Sequence, residues 1–371
     1  MYSESDLASA VEAGALSPAA ANALRNYVAE RRSAPAVDEE HFKLLTGFND
    51  IFVAIAAALI LVAAGRIGAY VGELLIGAGP EPRVIGGNMI GGGFAVAATS
   101  WMLAEYFTAK RRMALPSILL LFGFVGGVAA GLSGIFAANI PWIEEQMHLA
   151  SDLQKQQLGA GIAAVVGLLT AAATFVHWKR FMVPITVAAG ALVVAGMLVA
   201  IVLALVPLAK DWVNEMLLVA GVAMFFFAMR WDMTDLERRT RRSDVAFWLH
   251  LAAAPLIAHP VFHMLGVFDG DVTGPVAAVV IALYVAFALV ALAVDRRALL
   301  VSSLVYVLWA MYELFEQSGA VELAAALTAL VIGSALLTLS AFWQPMRRNV
   351  IGLLGKELEG RLPPTQQVAI A

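Results

Sequence analysis

The chain has 371 residues, of which 61% are hydrophobic and 14% charged, and its mean hydropathy is +0.81; soluble domains carry about 45–50% apolar and about 25% charged residues. This composition excludes a water-soluble globular protein, and a formal charge of −4 excludes a basic nucleic-acid-binding chain. The expected fold class is all-α, a polytopic membrane helical bundle with the lipid bilayer as its first partner and no nucleic acid.

From the N-terminus, Ser3 and Asp6 can cap a short helix ending near Gly14, and Ser17-Pro18 signals the start of a second helix reaching Arg32. With a linker at Ser33 to Asp38, this pair defines an expected cytoplasmic unit over residues 1–36. It reads either as a tail packed on the membrane domain or as a docking module for a cytoplasmic protein partner. The segment lacks the basic-then-apolar pattern of a secretory leader.

Crossing about 30 Å of hydrocarbon takes roughly 20 apolar residues, and ten segments qualify. They run near 50–78, 84–106, 114–138, 156–178, 181–207, 213–230, 245–266, 274–294, 298–317 and 321–343. The sixth relies on Glu215 and Arg230 snorkelling at its ends. Together they give a transmembrane domain over 37–346 and a cytoplasmic tail over 347–371. Alternating the segments puts 20 of the 24 Lys and Arg residues on one side, with only Arg83, Lys155 and Lys210 opposite and Arg66 inside the first span. Cytoplasmic loops accumulate Lys and Arg, so both termini are expected in the cytoplasm.

Between the spans, Pro141 to Gln157 has the spacing of an interfacial helix on the outer surface. Trp231 to Asp244 sets four arginines against Asp232, Asp235, Glu237 and Asp244 and reads as a positive-inside loop touching anionic lipid headgroups. In the second and third spans Gly87/Gly91 and Gly123/Gly127/Gly131 recur every four residues, forming smooth strips that let another helix backbone approach.

Ionisable groups in hydrocarbon cost about 2.5–3.5 kcal/mol each on insertion scales, so their depth matters. At 1.5 Å per residue, Arg66 and Glu313 lie roughly 22 Å from the cytoplasmic edge, His259 about 21 Å, Asn88 about 24 Å and His263 about 27 Å. Five polar groups from four spans in one outer-half layer are cheapest if they face each other. Glu313 and Arg66 would then neutralise one another, with His259, His263 and Asn88 completing the hydrogen bonds. Pro255 and Pro260 in the seventh span free the carbonyls of Leu251 and Leu256 and mark that span as the wall of a site. The expectation is an outward-facing polar cavity in a transporter or binder of a small solute, ion or lipid headgroup. The alternative is a structural or partner-docking membrane subunit, alone or as a homo-oligomer.

Three other chemistries have a weaker basis. His259, His263 and Glu313 are adequate ligands for zinc, but no H-E-x-x-H is present and Pro260 distorts the turn; no metal or other cofactor is expected. Gly131-Leu-Ser133-Gly134 with Ala258-His259 resembles the serine and histidine motifs of rhomboid intramembrane proteases, which implies a hydrolase using Ser133 and His259. In that family the serine begins a helix behind a re-entrant loop, whereas Ser133 closes the third span. His177 and His250 both lie toward the cytoplasmic side, where a pair of histidines could clamp a haem.

Finally, Asp38-Glu-Glu-His-Phe-Lys-Leu-Leu-Thr-Gly-Phe-Asn-Asp-Ile-Phe-Val53, preceded by the short helical pair, resembles the opening of uncharacterised multi-pass bacterial inner-membrane proteins grouped as domains of unknown function. Ser243-Asp-Val-Ala-Phe-Trp-Leu-His-Leu-Ala-Ala-Ala-Pro-Leu-Ile-Ala-His-Pro260 is similar to an internal segment of such proteins. The resemblance implies a bacterial cytoplasmic membrane and supplies no catalytic residues. The residues also have a direct physical reading: the acids at 38–40 favour a helix N-terminus, Phe42 and Leu45 suit the headgroup level, and Asn49-Asp50 can cap the first span.

Overall fold

A computed structural model describes residues 4–32, 48–77, 79–149, 151–236, 238, 240–266, 274–317, 322–355, 360 and 362–363. Every regular element among them is helical. The chain divides into two units, one holding the first two helices and the other holding the rest.

In the first unit, α1 covers Glu4–Glu12 and α2 covers Pro18–Arg32. Gly14 turns between them at a positive φ of 71°. The Ser17 hydroxyl accepts from the Ala20 amide at 3.1 Å, as the Ser-Pro signal implies. The linker, Phe42 and Leu45 fall outside the described residues.

The second unit contains α3 (Phe48–Ile76), α4 (Glu81–Phe107), α5 (Ala114–Gln146), α6 (Asp152–Phe181) and α7 (Ile185–Leu205). A 3-10 turn (Pro207–Trp212) leads into α8 (Val213–Asp232), followed by α9 (Arg241–Met264), α10 (Gly274–Val294), α11 (Ala298–Gln317), α12 (Ala324–Ala341) and α13 (Trp343–Leu354). Eight of these, counting the 3-10 turn with α8, are long and apolar enough to cross a membrane: α3, α5 to α10 and α12. They make this a helical membrane protein. The segments expected as second and ninth spans are also helices, α4 and α11, but they fall outside that set of eight. Glycines and the polar residues Glu81, Arg83, Asn88 and Glu105 dilute α4.

Three sequence expectations change here. The outer-surface helix expected at Pro141 to Gln157 is not a separate element: α5 continues through Pro141 to Gln146, and α6 starts at Asp152. One proline removes a single helical hydrogen bond, which does not end α5, whereas Ser151 and Gln154 form a reciprocal capping box that sets the start of α6. The boundary expected between 346 and 347 falls inside α13, whose Trp343, Arg347 and Ile351 are buried one turn apart. Asn49 and Asp50 lie within the first turn of α3 rather than ahead of it.

The glycine strips act as the spacing implies. Gly68 and Gly72 of α3 meet Gly91 and Gly87 of α4 so closely that an added methyl would collide with the facing backbone carbonyls, and one at Gly93 would collide with the Gly131 amide nitrogen and the Gly127 carbonyl of α5. Such contacts let three helices pack at backbone distance. The opposite face of α3 is left open, with only 11% of its apolar window buried. In contrast, half of the corresponding window of α9 is buried, because α9 packs on α7, α8 and α11. The helix persists through Pro255 and Pro260, and Gly221 of α8 lies against the backbone of Leu256, where a Cβ would sit 2.8 Å from its carbonyl carbon.

Side-chain contacts sort the helix junctions into two ends. At one end Arg180 bonds Glu105 at 2.9 and 2.5 Å, and Arg241 reaches the Met182 carbonyl at 3.4 Å. Arg296 and Arg238 then bind Asp232 and Asp295, and Trp343 also binds Asp295. These contacts gather the α4–α5, α6–α7, α8–α9, α10–α11 and α12–α13 junctions. At the other end Gln157 donates to the Ala204 carbonyl at 3.2 Å, Lys155 pairs with Glu144 at 3.3 Å, and Asn214 meets His263.

Candidate functional site

The five expected site residues separate into two groups. Arg66 on α3 is exposed and Asn88 on α4 is half-buried, on helices packed against each other and against α5. His259 and His263 lie on α9, and Glu313 lies half-buried on α11, which packs against α9, α10 and α12. Among the described residues no ion pair joins Arg66 to Glu313.

Within the second group the geometry converges. The Tyr306 hydroxyl of α11 shares a hydrogen bond with His259 Nδ1 at 3.0 Å, and the Asn214 amide of α8 donates to His263 Nδ1 at 3.2 Å. The two imidazoles, one turn apart, have ring centroids 6.2 Å from each other, and both are exposed. Tyr306 is held in place by stacking on buried Phe262 at 4.6 Å. Glu313 is seven residues, about two turns, beyond Tyr306 on the same face of α11. Tyr306, which helical spacing puts on one face of α11 with Trp309, Glu313 and Glu316, and Asn214 both belong to this arrangement; depth along the spans, counted for charged groups, histidines and Asn88, missed Asn214. A concavity of about 150 Å³ starts two residues past His263, but its walls are apolar: Leu265, Pro275, Val276 and Val279.

The alternative chemistries are not assembled. Among the described residues no three His, Cys, Asp or Glu side chains converge as metal ligands, so His259, His263 and Glu313 do not form that set. Ser133 sits in α5 beside the glycine seam, and no hydrogen bond joins it to His259 among the described residues. His177 is enclosed by Trp101, Phe124 and Phe181, with ring centroids at 6.0, 5.4 and 4.6 Å, and Thr186 Oγ1 is 3.5 Å from its Nδ1. His250 instead serves an ionic cluster, so the two histidines stand in separate surroundings.

That cluster lies at the opposite end of the bundle. Asp232, at the last residue of α8, accepts from Arg296 Nη2 at 2.5 Å, Arg296 Nε at 3.3 Å and His250 Nε2 at 2.9 Å. Arg296 also donates to the Ser243 carbonyl at 3.1 Å and hydroxyl at 3.2 Å. Next to it, Asp295 accepts from Arg238 at 3.0 Å and Trp343 Nε1 at 2.8 Å, with Arg347 Nε at 3.7 Å. Arg238 further donates to the Val294 and Asp295 carbonyls, and Arg347 to the Pro363 carbonyl. Asp235 accepts from the amide and hydroxyl of Thr240. The loop from Trp231 to Asp244 is therefore only partly a surface loop: Asp232, Asp235 and Ser243 are buried. Composition alone treats these residues as exposed charge, because their partners at 295–296 and 343–347 are remote in sequence.

The chain matches no protein-family model, no curated protein and no solved structure.

Proposed function

We infer that the protein crosses a bacterial cytoplasmic membrane ten times, with α3 to α12 as spans and both termini inside, and binds a small polar solute at the outer ends of α8, α9 and α11. The observation that carries the binding reading is the pair of exposed imidazoles, His259 and His263, each engaged by a side chain from a neighbouring helix. In this reading the histidines contact the solute, Tyr306 and Asn214 orient them, and Glu313 supplies a carboxylate. Arg66 and Asn88 take no part, because they stand on the α3–α4 side. The topology draws support from the gathering of five helix junctions and their arginines at one end, as positive-inside sorting requires.

The test is ligand-dependent thermal stabilisation of the purified protein with small carboxylates, inorganic phosphate and divalent cations. A compound that stabilises the wild type should lose its effect in His259→Ala/His263→Ala and keep it in Arg66→Ala. Equal stabilisation of the double variant would overturn the site.

A second reading, a structural or partner-docking subunit, is favoured by the buried ionic cluster, which braces one end of the bundle as a fixed platform. Removal of residues 1–32 should then release a co-purifying protein, and an unchanged set of co-purifying proteins would count against it.

A further inference from the structure

The buried ionic cluster also determines which charges that end of the molecule shows to its surroundings. Asp232, Asp235 and Asp295 are turned inward onto Arg296, His250, Thr240, Arg238 and Trp343. Outside this cluster Arg241, Arg242, Arg297 and Arg348 are exposed, and so is Asp244, two residues after Arg242. All four border one junction: Arg241 and Arg242 immediately precede Ser243, which Arg296 binds, Arg297 follows Arg296 in the chain, and Arg348 follows Arg347, which faces Asp295. The Arg297 guanidinium lies 4.8 Å over the ring of Trp343, the first residue of α13. That helix turns Trp343, Arg347 and Ile351 inward and leaves Arg348, Met346 and Leu353 outward, with Leu353 87% exposed.

We propose that Arg241, Arg242, Arg297 and Arg348, with the outer face of α13, form a binding surface for the headgroups of anionic phospholipids in the protein's own membrane. Guanidinium groups match phosphodiester oxygens in charge and in two-point geometry. Exposed apolar side chains beside them suit the boundary between headgroups and acyl chains, whereas a purely polar acidic partner would leave Leu353 and Met346 in water. The spans end at this level, so headgroups lie within reach of the same side chains. Because Asp232, Asp235 and Asp295 are held internally, those three carboxylates do not compete with lipid phosphate for the four arginines. The proposal needs only that this end meets a membrane surface; it does not depend on which side is cytoplasmic or on the histidine site.

The test uses the full chain in nanodiscs of phosphatidylcholine with graded phosphatidylglycerol, and measures by mass spectrometry the anionic lipid retained after extraction into neutral detergent. Each Arg→Gln change should lower the affinity for phosphatidylglycerol about five-fold at low salt, and the Arg241→Gln/Arg242→Gln/Arg297→Gln/Arg348→Gln variant should retain little. Arg83→Gln/Lys155→Gln/Lys210→Gln, three basic changes elsewhere, should retain as much as the wild type. Retention by the four-site variant equal to wild type overturns the proposal, as does an equal loss in the three-site variant, which would reduce the effect to net charge. If the four-site variant does not fold, the wild type decides. Phosphatidylglycerol added to it in detergent should raise its melting temperature more than phosphatidylcholine does, with the difference shrinking as salt rises; no difference between the lipids, or a salt-independent one, overturns the surface.

Discussion

Arg296 grips Asp232 with two nitrogens across 64 positions of sequence, and both side chains are 2% exposed. Removing one partner of a buried pair leaves an uncompensated charge, which typically costs about 3–5 kcal/mol, whereas replacing both with apolar groups is often close to neutral. Arg296→Met and Asp232→Leu should each destabilise the protein by about 3–5 kcal/mol. The double variant should lose much less than the sum of the two. Unfolding of all four proteins in one detergent, read as a double-mutant cycle, checks this; simple additivity would show that the pair is not coupled.

Asp295 joins the α10–α11 junction to α13 by accepting from Trp343 and Arg238. Asp295→Asn removes the charge that also faces Arg347, so α13 should loosen while α3 to α5 keep their packing. Hydrogen exchange is the direct reading. Amides of 343–354 should exchange faster in the variant and those of 86–97 should not change.

The glycine seam gives a prediction with an internal control. Gly72→Val forces a branched side chain into the Gly87 backbone, and overpacking of this kind costs about 1–3 kcal/mol or more. Gly126 has nothing within 4 Å of an added Cβ. Gly126→Ala should therefore be neutral, or stabilising by up to about 1 kcal/mol through helix propensity. Melting temperatures of the two variants should separate clearly, and similar values would argue against backbone-distance packing of α3 on α4.

Because the chain contains no cysteine, topology can be read without first removing any. Arg242→Cys and Arg348→Cys should be labelled by a membrane-impermeant maleimide only after the cells are opened. Lys155→Cys and Arg83→Cys should react in intact cells. Labelling of Arg242→Cys and Lys155→Cys from the same side would break the ten-span alternation, since an odd number of spans must separate residues on opposite faces.

The positions of the membrane-length helices were legible in the sequence because a long apolar run is a local property, and so is the four-residue recurrence of Gly87 and Gly91. The start of α2 was legible for the same reason: Ser17 acts on an amide three residues away. Which polar groups meet was not legible. Depth along a span gives height, not azimuth, so Arg66 and Glu313 share a level yet stand on helices with different packing partners, while His259 finds Tyr306 and His263 finds Asn214. Asp232 and Arg296 look like ordinary headgroup-level charges when counted one by one. Only the packing of α8 and α11 on α9 brings them together out of water, and in a low-dielectric interior that meeting turns two surface charges into a structural pair. The sequence alone determined an all-helical chain with membrane-length apolar helices, since hydropathy acts segment by segment. Tertiary structure alone decided the ion-pair partners and the exposed arginines, because both depend on distances between residues that the chain's order leaves far apart.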